Sequence, residues 1–392
     1  MARIDHAYNI ADLAAIARRR IPKGLYEFID RGAEDEVTLR ENRDSIKRVL
    51  LRQRVCVDVT QRDSSTTLFG VKQSMPIGIG ATGMAGLMAY DGERKLAKAA
   101  AKAGIPYVIG SSNFTAQADL KEICGDLLWR LIYPPADPKV LDHHLGMSKE
   151  LGIHVLQLTL DSPVMGNREY IARSGWAPHQ MNWRTYRQVL ASPHWLFGTL
   201  LRYLLSGGFP EIADMPEGQR KFWGGTFSWA NTAQNFTWDD LRELRRRWDG
   251  ALVAKGISTA EDARLAADCG VDGIVVSNHG GRSLDSCVPS FGALPEIVDA
   301  VAPKVRVIVD GGFTRGADML KAVAMGASAV MVGRATLFGL VAGGETGVTR
   351  ALEIFRQEID RALALIGCRT LSDLDRGHLL LNRPDWPQFS AS

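Results

Sequence analysis

"VRVIVDGGFTRGADMLKAVAMGASAVMVGR", residues 305–334, contains a complete folding unit. A run rich in Val and Ile ends on Asp310 and two glycines; the amphipathic "RGADMLKAVAMGA" (315–327) follows, and a second apolar run, "AVMVGR" (329–334), closes it. Strands that are apolar without alternation read as buried on both faces, and a helix between two of them makes the pair parallel.

Earlier in the chain the unit repeats. "PIGIGA" (76–81), "YVIGSS" (107–112), "LLWRLIY" (127–133), "VLQLTLD" (155–161), "ALVAKG" (251–256) and "GIVVSNH" (273–279) bring the strand-like runs to eight. Helical stretches such as "GERKLAKAAAKAG" (92–104) and "TAEDARLAADCG" (259–270) lie between them. Eight βα units predict a closed (β/α)8 barrel. The rival, an open doubly wound sheet, would carry Gly-x-Gly-x-x-Gly after its first strand, and "GATGMAG" (80–86) lacks that spacing. The expected organisation is an N-terminal helical segment (1–74), a barrel (75–370) with an insertion after strand 4 (170–238), and a tail (371–392). The insertion region is rich in tryptophan, Trp176, Trp183, Trp195, Trp223, Trp229, Trp238 and Trp248 all falling between strands 4 and 5.

The totals exclude several classes. A net charge of +3 over 392 residues gives no footprint for nucleic acid. Five scattered cysteines without a Cys-x-x-Cys pair argue for reduced thiols and against a structural zinc. The adjacent His143 and His144 point different ways on a helix, so no metal site is expected. Neither a secretion signal nor a run of about 18 apolar residues is present, which predicts a cytoplasmic protein.

The ends of barrel strands are where such folds place their chemistry. Here they carry Thr82, Ser111, Tyr133, Thr159, Asp161, Lys255, Ser277, His279, Asp310 and Arg334. So dense a polar set at the ends of apolar strands is costly unless it faces a ligand. In "GIVVSNHGGRSLD" (273–285), His279 and Arg282 stand three residues apart just past a strand. A loop that only turns the chain needs neither, and the pair suggests proton transfer beside a bound anion. "VDGG" (309–312) and "VGRA" (332–335) put glycines and Arg334 at the last two turns, a pattern suited to a phosphate.

On these residues the chain resembles the FMN-dependent 2-hydroxy-acid oxidising family, from "YEFIDRGAEDE" near the N-terminus to "LIGCRTLSDL" near the end. The family signature "SNHGGRQLD" stands here as "SNHGGRSLD". The resemblance implies FMN as cofactor and oxidation of an (S)-2-hydroxy acid, of L-lactate or mandelate type, to the 2-oxo acid. His279 then corresponds to the base and Asp161 to its carboxylate partner. Arg282 and Arg168 would hold the substrate carboxylate, and Tyr26 and Tyr133 would donate hydrogen bonds around it. Lys255 would lie beside the flavin, with Thr159, Ser277, Ser111 and the backbone of Ala81, Thr82 and Gly83 against it. Asp310, Gly311, Gly312, Gly333 and Arg334 would hold the ribityl and phosphate groups. A homotetramer is likewise implied.

Three positions depart from that pattern. Leu131 stands where the family has a flavin-contacting Gln; Gly110 precedes Ser111 where a serine is expected; and Arg315 is displaced by one residue from a usual Arg. On the family pattern Gly83 favours a dehydrogenase over an oxidase that makes H2O2, and the resemblance to membrane-bound members implies a quinone as acceptor. "WLFGTLLRYLL" (195–205) is too short to span a bilayer but suits its interface, which leaves open a peripheral position on the inner face of the cell membrane; packing on the barrel or a subunit interface is the alternative. Two other classes compete. A lyase would use Lys255 as a Schiff base, and a binding barrel would hold FMN without turnover.

Overall fold

Eight short parallel strands close on themselves in this computed structural model, which describes residues 4–176, 182–208, 211–216, 220–221 and 232–381. They are β1 (Ile77–Ile79), β2 (Tyr107–Ile109), β3 (Leu128–Ile132), β4 (Val155–Thr159), β5 (Ala251–Ile257), β6 (Gly273–Val276), β7 (Arg306–Asp310) and β8 (Ala329–Val332). Each pairs with its neighbours in chain order, and β8 returns to β1, so the (β/α)8 barrel expected from the repeat is the architecture.

The barrel interior is a packed core. Val108, Trp129, Leu131, Val155, Val253, Val275, Ile308, Ala329 and Met331 fill it, and burial of each large apolar side chain contributes about 1.5–3 kcal/mol. A hairpin of Thr66–Leu68 against Val71–Gln73 plugs the N-terminal end. Its Leu68 joins the interior cluster, and its Phe69 packs edge-on to Trp129 with ring centroids 5.4 Å apart. Tyr133 and Ala81 close the opposite end.

The flanking segments are tied into this body. The first 74 residues contain helices Ile10–Arg18, Lys23–Asp30 and Val37–Lys47, but also the plug hairpin and the strand Val49–Leu51. That strand pairs antiparallel with Leu379–Leu381, so the chain before the barrel is fastened to the chain after it. The helix Lys23–Asp30 lies beside Glu169–Ser174 of the insertion region, which brings N-terminal residues to the barrel mouth. Both tryptophans at 223 and 229, and the tail from 382, lie outside the described residues.

Between β4 and β5 the chain makes short helices instead of one long one. Pro193–Trp195 leads into a π-helical turn, Leu196–Leu200, and then the α-helix Leu201–Ser206. Trp195, the first residue of the stretch suited to a membrane interface, points inward, as the alternative of packing on the barrel requires. It is 1% exposed, its indole N–H donates to the Leu87 carbonyl at 2.8 Å, and it packs edge-on to Trp176. A buried indole needs a partner for its N–H, and Leu87 supplies one. Arg202 also turns toward the barrel, its guanidinium 5.9 Å from the centre of the Tyr90 ring. The exposed apolar side chains of these helices are others: Trp183, Tyr186, Leu190, Phe197, Leu204 and Leu205. Among the described residues, no helix is long and apolar enough to cross a membrane.

Candidate active site

The site forms at the C-terminal mouth of the barrel, where β4, β5 and β6 present Asp161, Lys255 and His279. Just beyond β6, His279 sits in the left-handed region with φ +58°, which a non-glycine residue adopts only when its surroundings compel it. The compulsion is visible. Asn278 and Asn42 exchange reciprocal amide hydrogen bonds at 2.8 Å, Asn278 Oδ1 also accepts from the Gly281 amide, and the Ser290 amide donates to Asn42. Asp285 accepts from the amides of Val37 and Thr38 at the start of a helix. The "SNHGGRSLD" loop is thus pinned at both ends, and His279 takes its strained conformation between the pins.

The imidazole is held from both sides. Its Nδ1 lies 3.0 Å from Asp161 Oδ1, and its Nε2 lies 3.2 Å from Tyr133 Oη. A carboxylate accepts only, so Nδ1 carries the proton toward Asp161 and Nε2 keeps the free lone pair. Ser162 Oγ, 3.3 Å from Nδ1 and 2.7 Å from Ser283 Oγ, braces the same edge. Asp161 reaches this position because Gly256 lets it: at φ +99° on β5, a Cβ there would lie 2.5 Å from Asp161 Cβ. Sequence reading did not single out Gly256 or Ser162.

Charge is buried here in a balanced pattern. Burial pushes the Asp161 carboxyl up, but Lys255 and His279 outweigh it and hold the acid well below the ordinary carboxylate range. The Lys255 ammonium shows the converse: burial lowers it, and Asp161 and Asp310, 3.8 Å and 3.5 Å away, raise it well above its usual value. For His279, burial comes first and lowers the pKa, Asp161 opposes, and Lys255 adds to the lowering. The net downward shift keeps the imidazole neutral at neutral pH, ready to accept a proton.

Three arginines near this base have no ion pair among the described residues. Burial and the neighbouring Arg282 push both Arg168 and Arg334 down to about 10. Arg168 donates from Nε to the Arg282 carbonyl at 3.2 Å. Arg282 donates to the Phe28 carbonyl and lies over the Phe28 ring, 4.5 Å from its centre. Arg334 is spread across the carbonyls of Ile29, Arg31 and Gly280. Mutually repelling guanidiniums held only by carbonyls and a ring make a site for anions. Tyr26, on the helix that carries Phe28 and Ile29, stacks on Phe338 with ring centroids 6.0 Å apart and makes no hydrogen bond to these arginines.

The remaining candidates divide. Buried Thr82 Oγ1, Thr159 Oγ1 and Asp310 Oδ1, at the ends of β1, β4 and β7, have no partner among the described residues. Unpaired polar atoms around a buried ammonium fit a flat, polar heterocycle and a polyol chain, so this mouth suits FMN. Gly311 and Gly312 both take positive φ, and a Cβ on Gly312 would lie 2.6 Å from the Asn42 carbonyl, so packing alone already demands glycine there. Gly333 borders Thr82, where a Cβ would lie 3.3 Å from its methyl. Ser277 and Ser111 are used differently. The Ser277 hydroxyl accepts from Lys255 at 2.8 Å and from the His279 amide at 3.1 Å, and Ser111 donates to the Leu131 carbonyl. Arg315 pairs with Glu358, so the displaced arginine serves a helix and not the mouth.

Known proteins match this arrangement. The model of a family described as FMN-dependent dehydrogenase matches residues 17–381. The chain is 36% identical over 369 residues to an L-lactate dehydrogenase of Caulobacter vibrioides, covering 94% of this chain and 96% of that one. An L-lactate dehydrogenase of Alcaligenes faecalis is also 36% identical, over 95% of this chain and 98% of its own. Among solved structures, the monotopic membrane protein (S)-mandelate dehydrogenase superposes with a TM-score of 0.89 at 33% identity, covering 96% of this chain and 100% of that one. Mandelate oxidase with benzoyl-formic acid gives 0.79 at 31% identity, covering 95% and 98%.

Proposed function

Since the chain belongs to the FMN-dependent dehydrogenase family, we propose that it oxidises an (S)-2-hydroxy acid of lactate or mandelate type to the 2-oxo acid and passes the electrons to a membrane quinone. The observation that carries this reading is His279, with Nδ1 on Asp161 and an unprotonated Nε2 against Tyr133, next to arginines without carboxylate partners. A 2-hydroxy acid needs a base at its alcohol carbon and a cation at its carboxylate, a few ångströms apart.

When bound, FMN accepts the two electrons removed from that carbon. Arg168 and Arg282 hold the substrate carboxylate, which relieves their mutual repulsion. Tyr133 Oη, on the Nε2 side of the imidazole, donates to the substrate oxygens. His279 Nε2 takes the proton that leaves, and Asp161 stabilises the imidazolium so formed. Lys255, a buried cation that keeps its charge, favours negative charge on the neighbouring ring. The plug hairpin and the packed interior keep water from entering beneath.

The exposed Trp183, Tyr186, Leu190, Phe197 and Leu205 support a peripheral contact with the membrane. Arg184 and Arg187 lie over the Trp183 ring, at 5.7 Å and 5.8 Å, the aromatic-and-cation pairing that suits a headgroup region. Within 195–205 the contact would fall to Phe197 and Leu205, not to buried Trp195. The test is the visible spectrum of the holoprotein without oxygen, before and after (S)-lactate or (S)-mandelate. Bleaching of the flavin band by one of them, and recolouring by a soluble quinone faster than by air, is expected. A yellow protein that neither acid bleaches overturns the substrate reading; rapid recolouring by air, with H2O2 formed, overturns the quinone reading.

A further inference from the structure

Gln157 lies in the middle of β4, in register with Leu131 of β3 on one side and Val253 of β5 on the other. Both neighbours belong to the apolar interior of the barrel, as does Val155 two residues earlier on the same face. Gln157 is 2% exposed, and its Oε1 has no hydrogen-bond partner among the described residues. A buried amide oxygen left unpaired among Leu and Val side chains destabilises the fold, so a packing role gives no reason for it.

Its position supplies one. Thr159, the next residue of β4 on this face, sits at the mouth with its own unpaired hydroxyl and is in register with Lys255. Gln157 is therefore one layer below the ring of unpaired groups formed by Thr82, Thr159 and Asp310. Two residues of strand span about 6.6 Å, a gap that an extended Gln side chain largely bridges. A primary amide offers a donor and an acceptor side by side. The pyrimidine edge of a flavin offers the complementary set, ring N–H beside carbonyl oxygen. Leu131, directly across β3, is the position at which the chain lacks an expected amide.

We propose that Gln157 hydrogen-bonds the pyrimidine edge of FMN from the floor of the barrel mouth, so that β4 provides an amide that β3 lacks. The inference rests on the reading of this mouth as an FMN site. It makes Gln157 a cofactor-binding residue and leaves proton transfer to His279.

The test is FMN release from the holoprotein on serial dilution, read by the fluorescence of freed flavin, together with the visible absorption spectrum. Gln157→Leu should raise the dissociation constant about 3- to 10-fold, the range for one ordinary hydrogen bond, and shift the flavin band. The double change Leu131→Gln with Gln157→Leu, which moves the amide back across one strand, should recover most of the lost affinity and the original band. A Gln157→Leu protein with unchanged FMN affinity and spectrum overturns the inference while the FMN reading stands. Weakened binding that Leu131→Gln does not recover also overturns it, since that marks a packing defect. A wild-type protein that takes up no FMN removes both.

Discussion

The barrel mouth and the insertion after β4 break the same rule in opposite directions. The mouth buries charge: His279 and Asp161 keep only 19% and 11% of their side chains exposed, beside Lys255 and three arginines. The insertion exposes grease: Phe197 is 63% exposed, Trp183 66% and Leu205 87%. Neither arrangement stabilises an isolated chain, because buried charge loses hydration and exposed apolar area gains nothing from folding. FMN and an anionic substrate account for the first, and the proposed membrane contact would account for the second. Trp195 shows how closely the two habits can adjoin, being fully buried only two residues before exposed Phe197.

The contrast can be broken by substitution. At the mouth, Asp161→Asn removes the charge that stabilises the imidazolium and should lower kcat about 10²- to 10⁴-fold, with the protein still yellow. Steady-state kinetics would contradict the reading of this pair if the loss were under tenfold. In the insertion, Trp195→Ala empties a large buried site and should destabilise the protein by about 3–5 kcal/mol, visible as a lowered Tm. Lys255→Met sharpens the electrostatic side. Burial is the main depressor of His279 and Lys255 the charge that adds to it, so without Lys255 the imidazole binds a proton more readily. The acid limb of kcat/KM should therefore move to higher pH, the opposite of a loss of Asp161, whose charge raises the imidazole. The smallest effect on stability is expected from Phe197→Asp with Leu205→Asp, within about 0.5 kcal/mol of wild type. The same pair should abolish co-sedimentation with lipid vesicles; vesicle binding that persists would move the contact elsewhere.

Legibility followed the same division. The eight strands could be read because each is a short apolar run and the unit repeats, and the candidate residues Asp161, Lys255 and His279 because they lie at strand ends. The plug hairpin was hidden: its strands are three residues long and carry Thr66, Thr67 and Lys72, too short and too polar for a period to show. Phe28 and Ser162 meet the site across 254 and 117 residues of sequence, a distance over which no local pattern speaks. The orientation of Trp195 was unreadable for another reason, since composition marks a segment as amphipathic without saying which side is covered. One further signal stands in the sequence. In "VLQLTLD", a single Gln interrupts a strand otherwise apolar up to Thr159, and a lone amide inside a buried strand is the kind of exception that points to a ligand.

The central claim, that His279 is the base of an FMN-dependent oxidation, is tested most directly by mixing the holoprotein anaerobically with the 2-hydroxy acid that reduces it and following the flavin band for wild type and His279→Asn. Two proteins of the same colour are expected, one bleaching quickly and the other slower by at least about 10²-fold. Equal bleaching rates would contradict it, because the proton would then be leaving to some other group.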